Sequence, residues 1–175
     1  MLVYNSILEF TKYSFHKPTA ITIGNFDGVH KGHYFLLENL AKQVKQRDLS
    51  TVLLTFKQNT KEILQVDTNI KLLHSQSEKT QYLSETGLVD YIIYEDFLSL
   101  KDISAQDFIS DILIGKLNSK LIMLGANHKF GKNREGNFEF LQKNGIDLGF
   151  EVIKAELYQE NGQVISSTFL RNKSI

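Results

Sequence analysis

The sequence predicts an α/β domain built on a mostly parallel sheet wrapped by helices. Three observations carry that expectation. Strand-length apolar runs alternate with helical periodicities along the chain. One run, Thr51 to Phe56 (TVLLTF), is apolar and β-branched without alternation, as in a strand buried on both faces. The chemically distinctive residues fall just after Ile23, Phe56, Tyr94 and Leu124, at the strand ends where parallel sheets bind ligands.

The elements follow in order. Ala20 to Ile23 is a strand ending at Gly24. Tyr34 to Gln46 carries Phe35, Leu36, Leu37, Leu40, Ala41 and Val44 at helical spacing. Ile70 to Thr86 reads as one helix, stopped by Gly87, and Val89 to Tyr94 as the next strand. Ser104 with Asp107 opens a helix whose buried face is Phe108, Ile109, Ile112 and Leu113. Lys120 to Leu124 is a strand running into a glycine-bearing loop, Phe150 to Ala155 is the last core strand, and Gln163 to Ile165 is a further short one.

Composition narrows the function. At 175 residues and 42% hydrophobic, the chain suits a single domain over 1–175 with a real core. Twenty Lys and Arg balance twenty Asp and Glu, which argues against a nucleic-acid partner. The absence of cysteine excludes disulfides, thiolate nucleophiles and Cys-ligated metals. No apolar run approaches the roughly 18–20 residues of a membrane span, and no signal pattern opens the chain. The expectation is a cytoplasmic protein without a membrane partner. No oligomeric state is read from the sequence.

The most informative stretch is Gly24-Asn25-Phe26-Asp27-Gly28-Val29-His30-Lys31-Gly32-His33. Glycines permit a tight turn, and a helix starts within the HxGH segment. Two histidines three apart lie beside free helix N–H groups and the positive end of the helix dipole, an arrangement suited to phosphoryl charge. Asp27 reads equally as a turn-former, an indirect magnesium partner or both. A zinc reading of HxxH lacks a third ligand, since His16, His74 and His128 stand at no recognised metal spacing. Near the C-terminus, Ser166, Ser167 and Thr168 offer hydroxyls at a helix start, with the Arg171 guanidinium one turn on. The loop from Gly125 to Gly131 is no P-loop: five residues separate its glycines where that motif has four, and Asn133 stands in place of Ser or Thr.

The first stretch resembles the GxFDGxHxGH signature of the nucleotidyltransferase superfamily, in the version of prokaryotic FAD synthetases. The likeness to their FMN adenylyltransferase module runs along nearly the whole chain. Leu72 to Gly87, with its Glu78-Lys79 pair, is similar to a segment of that family. Gly125-Ala126-Asn127-His128-Lys129-Phe130-Gly131 with Arg134 and Gly136 resembles its G-x-(D/N)-F-x-F-G-x-x-R-x-G loop, and Ile165 to Arg171 resembles ISSTxIR.

The resemblance implies a Rossmann-like α/β/α nucleotidyltransferase fold with a small β/loop extension near the C-terminus. It implies an enzyme that transfers adenylyl from ATP to FMN, giving FAD and pyrophosphate, with Mg²⁺ as cofactor. ATP would be held by Gly24, Asn25, Phe26, Asp27, Gly28, His30, His33, Ser166, Ser167, Thr168 and Arg171, with His30, His33 and Arg171 catalytic. Flavin would meet Phe56, Lys57, Asn127, His128 and Phe130, with Asn127 also a magnesium ligand; Phe130 reads equally as a plain core residue. The riboflavin kinase module of bifunctional relatives is not expected. Two departures fall on the flavin side: His128 replaces Phe, and Lys57-Gln58-Asn59-Thr60 replaces a proline–histidine–proline element and is expected to be more flexible. Rival readings are a nucleotidyltransferase with another phosphorylated acceptor, such as a pantetheine, nicotinate or choline phosphate, and a non-catalytic nucleotide- or flavin-binding protein.

Overall fold

The computed structural model describes residues 1–13, 17–65 and 70–173. Six strands form the main sheet: β1 (Leu2–Tyr4), β2 (Thr19–Ile23), β3 (Ser50–Phe56), β4 (Tyr91–Glu95), β5 (Ser119–Gly125) and β6 (Glu151–Ala155). Their order is β1-β4-β3-β2-β5-β6, and every neighbouring pair is parallel. A small antiparallel hairpin, β7 (Gln159–Glu160) with β8 (Gln163–Val164), is the expected extension near the C-terminus.

Strand alternation divides the core between two layers of helices. Ile21, Val52, Leu54, Ile93 and Ile122 face Ile7 and Phe10 of α1 (Ile7–Tyr13) and Leu141 of α7 (Phe138–Leu148). The same layer holds Ile109, Ile112 and Leu113 of a π-helical run, Phe108–Lys116, that continues α6 (Ala105–Asp107) beyond its Ser104 cap. On the other face Leu53, Ile92 and Tyr94 meet Leu37 of α2 (Lys31–Lys45) and Leu83 of α4 (Gln76–Thr86), while Ala20 and Leu121 meet Leu40. Each fully buried branched side chain contributes about 1.5–3 kcal/mol. β3 is buried along all but its last residue, as its unbroken apolar run predicts.

Two differences from the sequence reading matter. The expected helix from Ile70 begins only at Gln76. Ser75 and Glu78 form a capping box there, and the amides of Leu73 and His74 donate instead to Asp27. The chain also forms β1, α1 and α7, which its periodicity did not announce. β2 is the topological switch point: its neighbours β3 and β5 lie on opposite sides, so the loops leaving β2 and β5 diverge and open a crevice. Two short helices, α3 (Thr60–Ile63) and α5 (Phe97–Leu100), and the C-terminal α8 (Ser167–Lys173) border it.

Candidate active site

The loop leaving β2 is strained and stacked. Phe26, Gly28 and Val29 all have positive φ (48°, 87° and 25°), a conformation unusual for a phenylalanine and more so for a β-branched valine. At Gly28 a β-carbon would also sit 2.6 Å from the Leu73 side chain. The conformation lays the Phe26 ring on His33, centroids 4.5 Å apart, and His33 stacks in turn on His30 at 3.8 Å.

His30 caps α2 and His33 is its third residue. His30 Nδ1 accepts from the Gly32 amide at 3.1 Å, and His33 Nδ1 accepts from the His30 amide at 3.3 Å. With Nδ1 accepting, each neutral ring carries its proton on Nε2. Burial pushes the pKa of His30 down. It pushes that of His33 well down, aided by the neighbouring His30 and Lys79. Both rings are therefore neutral at pH 7 and present Nε2–H donors. The sequence reading expected free helix amides here; those of His30 and Gly32 are instead taken by the two imidazoles.

The C-terminal loop locks onto this corner. Ser166 Oγ accepts from the Phe169 amide at 3.2 Å and starts α8. The Ser167 hydroxyl donates to the Asp27 carbonyl at 2.7 Å and lies 3.3 Å from His30 Nε2. Arg171 donates from Nη2 to Asp27 Oδ2 and from Nε to the Lys71 carbonyl at 3.1 Å. Thr168 is exposed. Gly32 makes the approach feasible: a β-carbon there would lie 2.8 Å from the Ile165 carbonyl oxygen and 3.0 Å from the His30 ring. Asp27, 6% exposed, accepts from Leu73 and His74 amides on Oδ1 and from Arg171 on Oδ2. Its oxygens are occupied by protein donors, in keeping with the turn-organising reading.

Across the crevice lies an apolar pocket lined by Ile23, Phe56, Phe97, Leu100, Phe108, His128 and Phe130. Phe56 meets Phe97 edge-on at 5.2 Å. Phe130 unites its two readings: it is 8% exposed, packs on Phe108 at 5.6 Å within the core, and still lines the pocket. Burial, with Arg134 nearby, lowers the His128 pKa to about 4, so this ring is neutral. Asn127 stands exposed just after β5, its side chain without a hydrogen-bond partner among the described residues. Among those residues no group of three or more His, Cys, Asp or Glu is placed to hold a metal ion, and His16 lies outside them.

The segment lacking prolines is pinned rather than flexible. Gln58 donates to Asp96 at 3.0 Å and accepts from the Phe97 amide. Asn59 caps α3, and Asn25 bonds both the amide and the hydroxyl of Thr60. Side-chain hydrogen bonds supply the stiffness that prolines would otherwise give.

Two residues escaped the site prediction. Lys79 and His74 line a second, polar pocket with Asn25, Asp27, Lys57 and Asn59. The Lys79 ammonium donates to the Asn25 carbonyl at 2.9 Å and the Thr55 hydroxyl at 3.1 Å. Its signal was available: Lys79 stands four residues before the core residue Leu83, on the buried face of α4.

Residues 12–169 match the family model described as FAD synthetase. The chain belongs to that family. It is 39% identical over 153 residues to the bifunctional riboflavin kinase/FMN adenylyltransferase of Escherichia coli K12, covering 87% of this chain and 49% of that protein. Its namesake in Pseudomonas fluorescens is 31% identical over 158 residues, with coverages of 90% and 50%. The chain thus spans about half the length of the curated relatives it matches. A solved structure described as a macrolide-efflux protein from Streptococcus pneumoniae superposes with a TM-score of 0.79 at 24% identity, over 98% of this chain and 57% of that one; this likeness speaks for the fold alone. In this α/β/α domain the segment holding Ser167 and Arg171 meets the loop after β2 at Asp27, and residues 128–131 line the apolar pocket beside Ile23 at the end of that strand. Among the described residues no helix is long and apolar enough to cross a membrane.

Proposed function

We propose that residues 1–175 act as one nucleotidyltransferase module that transfers the adenylyl group of MgATP to FMN, giving FAD and pyrophosphate. The observation that carries this reading is the pair of stacked, neutral imidazoles whose Nδ1 atoms are held by backbone amides, so that both Nε2–H groups are fixed in advance as donors. Family membership and the relatives' names support FMN as the acceptor.

In this mechanism an oxygen of the FMN phosphate forms a bond to the α-phosphorus of ATP. The bond from that phosphorus to the bridging oxygen of the pyrophosphate breaks, and pyrophosphate leaves with the electron pair. No covalent enzyme intermediate and no base are needed, because the FMN phosphate is already an anion. The chain aligns the two phosphates and stabilises the charge that develops. His30 and His33 donate to the reacting and β-phosphates, while Ser166, Ser167, Thr168 and Arg171 serve the outer phosphates and the nucleotide. Gly24, Asn25, Phe26, Asp27 and Gly28 shape the loop that receives them. Where Mg²⁺ accompanies ATP, the exposed amide oxygen of Asn127 would be its protein ligand, and the ion would supply neutralisation of phosphate charge. Phe56, His128 and Phe130 give the isoalloxazine an apolar, aromatic pocket, with Lys57 at its polar edge. A cytoplasmic setting and small-molecule partners belong to the same proposal, supported by the absence of cysteine and the balanced charge.

Incubation with FMN and MgATP, read by chromatography of flavins and by pyrophosphate release, is the test. FAD and pyrophosphate in equal amounts are expected. Pyrophosphate released only with another phosphorylated acceptor would move the reading to that acceptor; flavin or nucleotide bound without turnover would make the chain a binding protein.

A further inference from the structure

Lys79 is a buried cation to which the described protein supplies no counter-ion. It is 8% exposed. Its ammonium reaches the Asn25 carbonyl, the Thr55 hydroxyl and, at 5.1 Å, the face of the Tyr94 ring, all of them neutral. Among the described residues no carboxylate lies within 4.0 Å of it. Asp27, the carboxylate of the same pocket, already serves Arg171 and two backbone amides. A buried charge without compensation is costly, so buried charges are as a rule paired with an opposite charge.

The pocket has further marks of an anion site. His74 contributes Nδ1, a buried nitrogen with no partner, and Lys57 contributes a second ammonium. Its position restricts the occupant. Phe56 is a wall common to this pocket and the apolar one, while Asn25 and Asp27 belong to the strained loop that carries the stacked histidines. An occupant must therefore be anionic, continue into a flat apolar group on one side, and approach the nucleotide corner on the other. We infer that the pocket formed by Lys57, His74 and Lys79 binds the phosphate monoester of the acceptor, with the Lys79 ammonium as its buried counter-charge. This rests on the adenylyltransferase reading and deepens it, by assigning the group that holds the attacking phosphate. Burial lowers the Lys79 pKa to about 8, against the opposing pull of Asp27, so the ammonium is still charged at neutral pH.

The test compares FMN with riboflavin, which lacks the phosphate. Wild-type protein is first assayed for FAD from FMN and MgATP; failure there overturns the functional reading and this inference with it. With that activity in hand, flavin binding is titrated calorimetrically at pH 7. FMN is expected to bind at least tenfold tighter than riboflavin. In Lys79→Met and in Lys79→Gln the preference should fall to within about twofold while riboflavin affinity holds, a retained affinity that also reports a folded pocket. A wild-type measurement stands beside the variants: inorganic phosphate, against chloride at matched ionic strength, should weaken FMN several-fold and leave riboflavin unchanged. A preference that survives either neutral variant, or FMN binding indifferent to phosphate, overturns the site while leaving adenylyl transfer intact.

Discussion

The two sides of the crevice satisfy their polar groups in opposite ways. On the proposed nucleotide side, the histidines, Ser167, Asp27 and Arg171 are bound to one another and to the backbone, the His30 Nε2 lying against the Ser167 hydroxyl. On the proposed acceptor side, Lys79 is buried with only neutral partners and the half-buried His74 leaves its Nδ1 unpaired among the described residues. The first arrangement preorganises donors, so that little rearrangement is needed when charge develops. The second carries a cost that the phosphate proposed for this pocket would relieve on binding. A site can thus be rigid where charge forms and incomplete where charge arrives.

The sharpest way to break the contrast is to remove a fixed donor. His30→Ala and His33→Ala are each expected to lower kcat by roughly 10²–10³, equivalent to about 3–4 kcal/mol of transition-state stabilisation. The midpoint of thermal unfolding should move far less in proportion. Steady-state FAD formation checks this, and near-normal kcat in both variants would remove the imidazoles from the mechanism.

Next comes the unmet charge. Burial holds the Lys79 pKa down at about 8, below the ordinary lysine value of 10.5. Between those values the unfolded chain holds a proton that the folded chain has released, so stability should rise with pH across this window. The shift amounts to about 3 kcal/mol at 1.36 kcal/mol per pH unit. Asp27, Lys57, His74 and Tyr94 face the same ammonium and are common to wild type and Lys79→Met. The difference between their urea-unfolding free energies therefore isolates Lys79. That difference should swing toward wild type from pH 7.5 to 10.5; a flat difference would mean that the charge is already compensated.

Arg171→Lys should cost less, raising KM for ATP about tenfold. A single ammonium cannot reproduce the fork that reaches both the Asp27 carboxylate and the Lys71 carbonyl. ATP titrations at saturating FMN decide it, and unchanged KM with unchanged kcat would leave Arg171 without a role.

The sequence disclosed the two sides unequally. The parallel strands were legible because β2 to β5 are largely apolar runs of strand length and β6 keeps Val152, Ile153 and Ala155, while β1 is three residues at the sheet edge with Leu2 and Val3 exposed. α7 went unread because Gly145 and Asn144 interrupt its periodicity. Leu72 and Leu73 extended the apparent helix before α4, although the Ser75 and Glu78 pair marks its true start. In the nucleotide corner the residue types were plain, but not their pairing: Arg171 and Asp27 meet across 144 positions. On the acceptor side a lysine within an apolar helical face was the clue, and its meaning depends on what the fold leaves unpaired around it.

The smallest effect tests how tightly the nucleotide corner is interlocked. Ser167 donates its proton to the Asp27 carbonyl, so toward His30 Nε2 its oxygen can only accept. In that role the hydroxyl fixes the plane of the His30 ring until a phosphate, on the proposed mechanism, takes over its N–H, and it fastens α8 to the strained loop. Ser167→Ala removes one ordinary hydrogen bond at each end, worth about 0.5–1.5 kcal/mol apiece, and leaves the Nδ1 bond of His30 in place. KM for ATP should therefore rise about three- to tenfold with kcat within about twofold, while FMN affinity moves less, because Ser167 reaches the acceptor pocket only through the Asp27 main-chain carbonyl. A fall in KM would reverse the assignment: Ser167 would then be a competitor for the His30 donor, and the corner would be closed against its ligand.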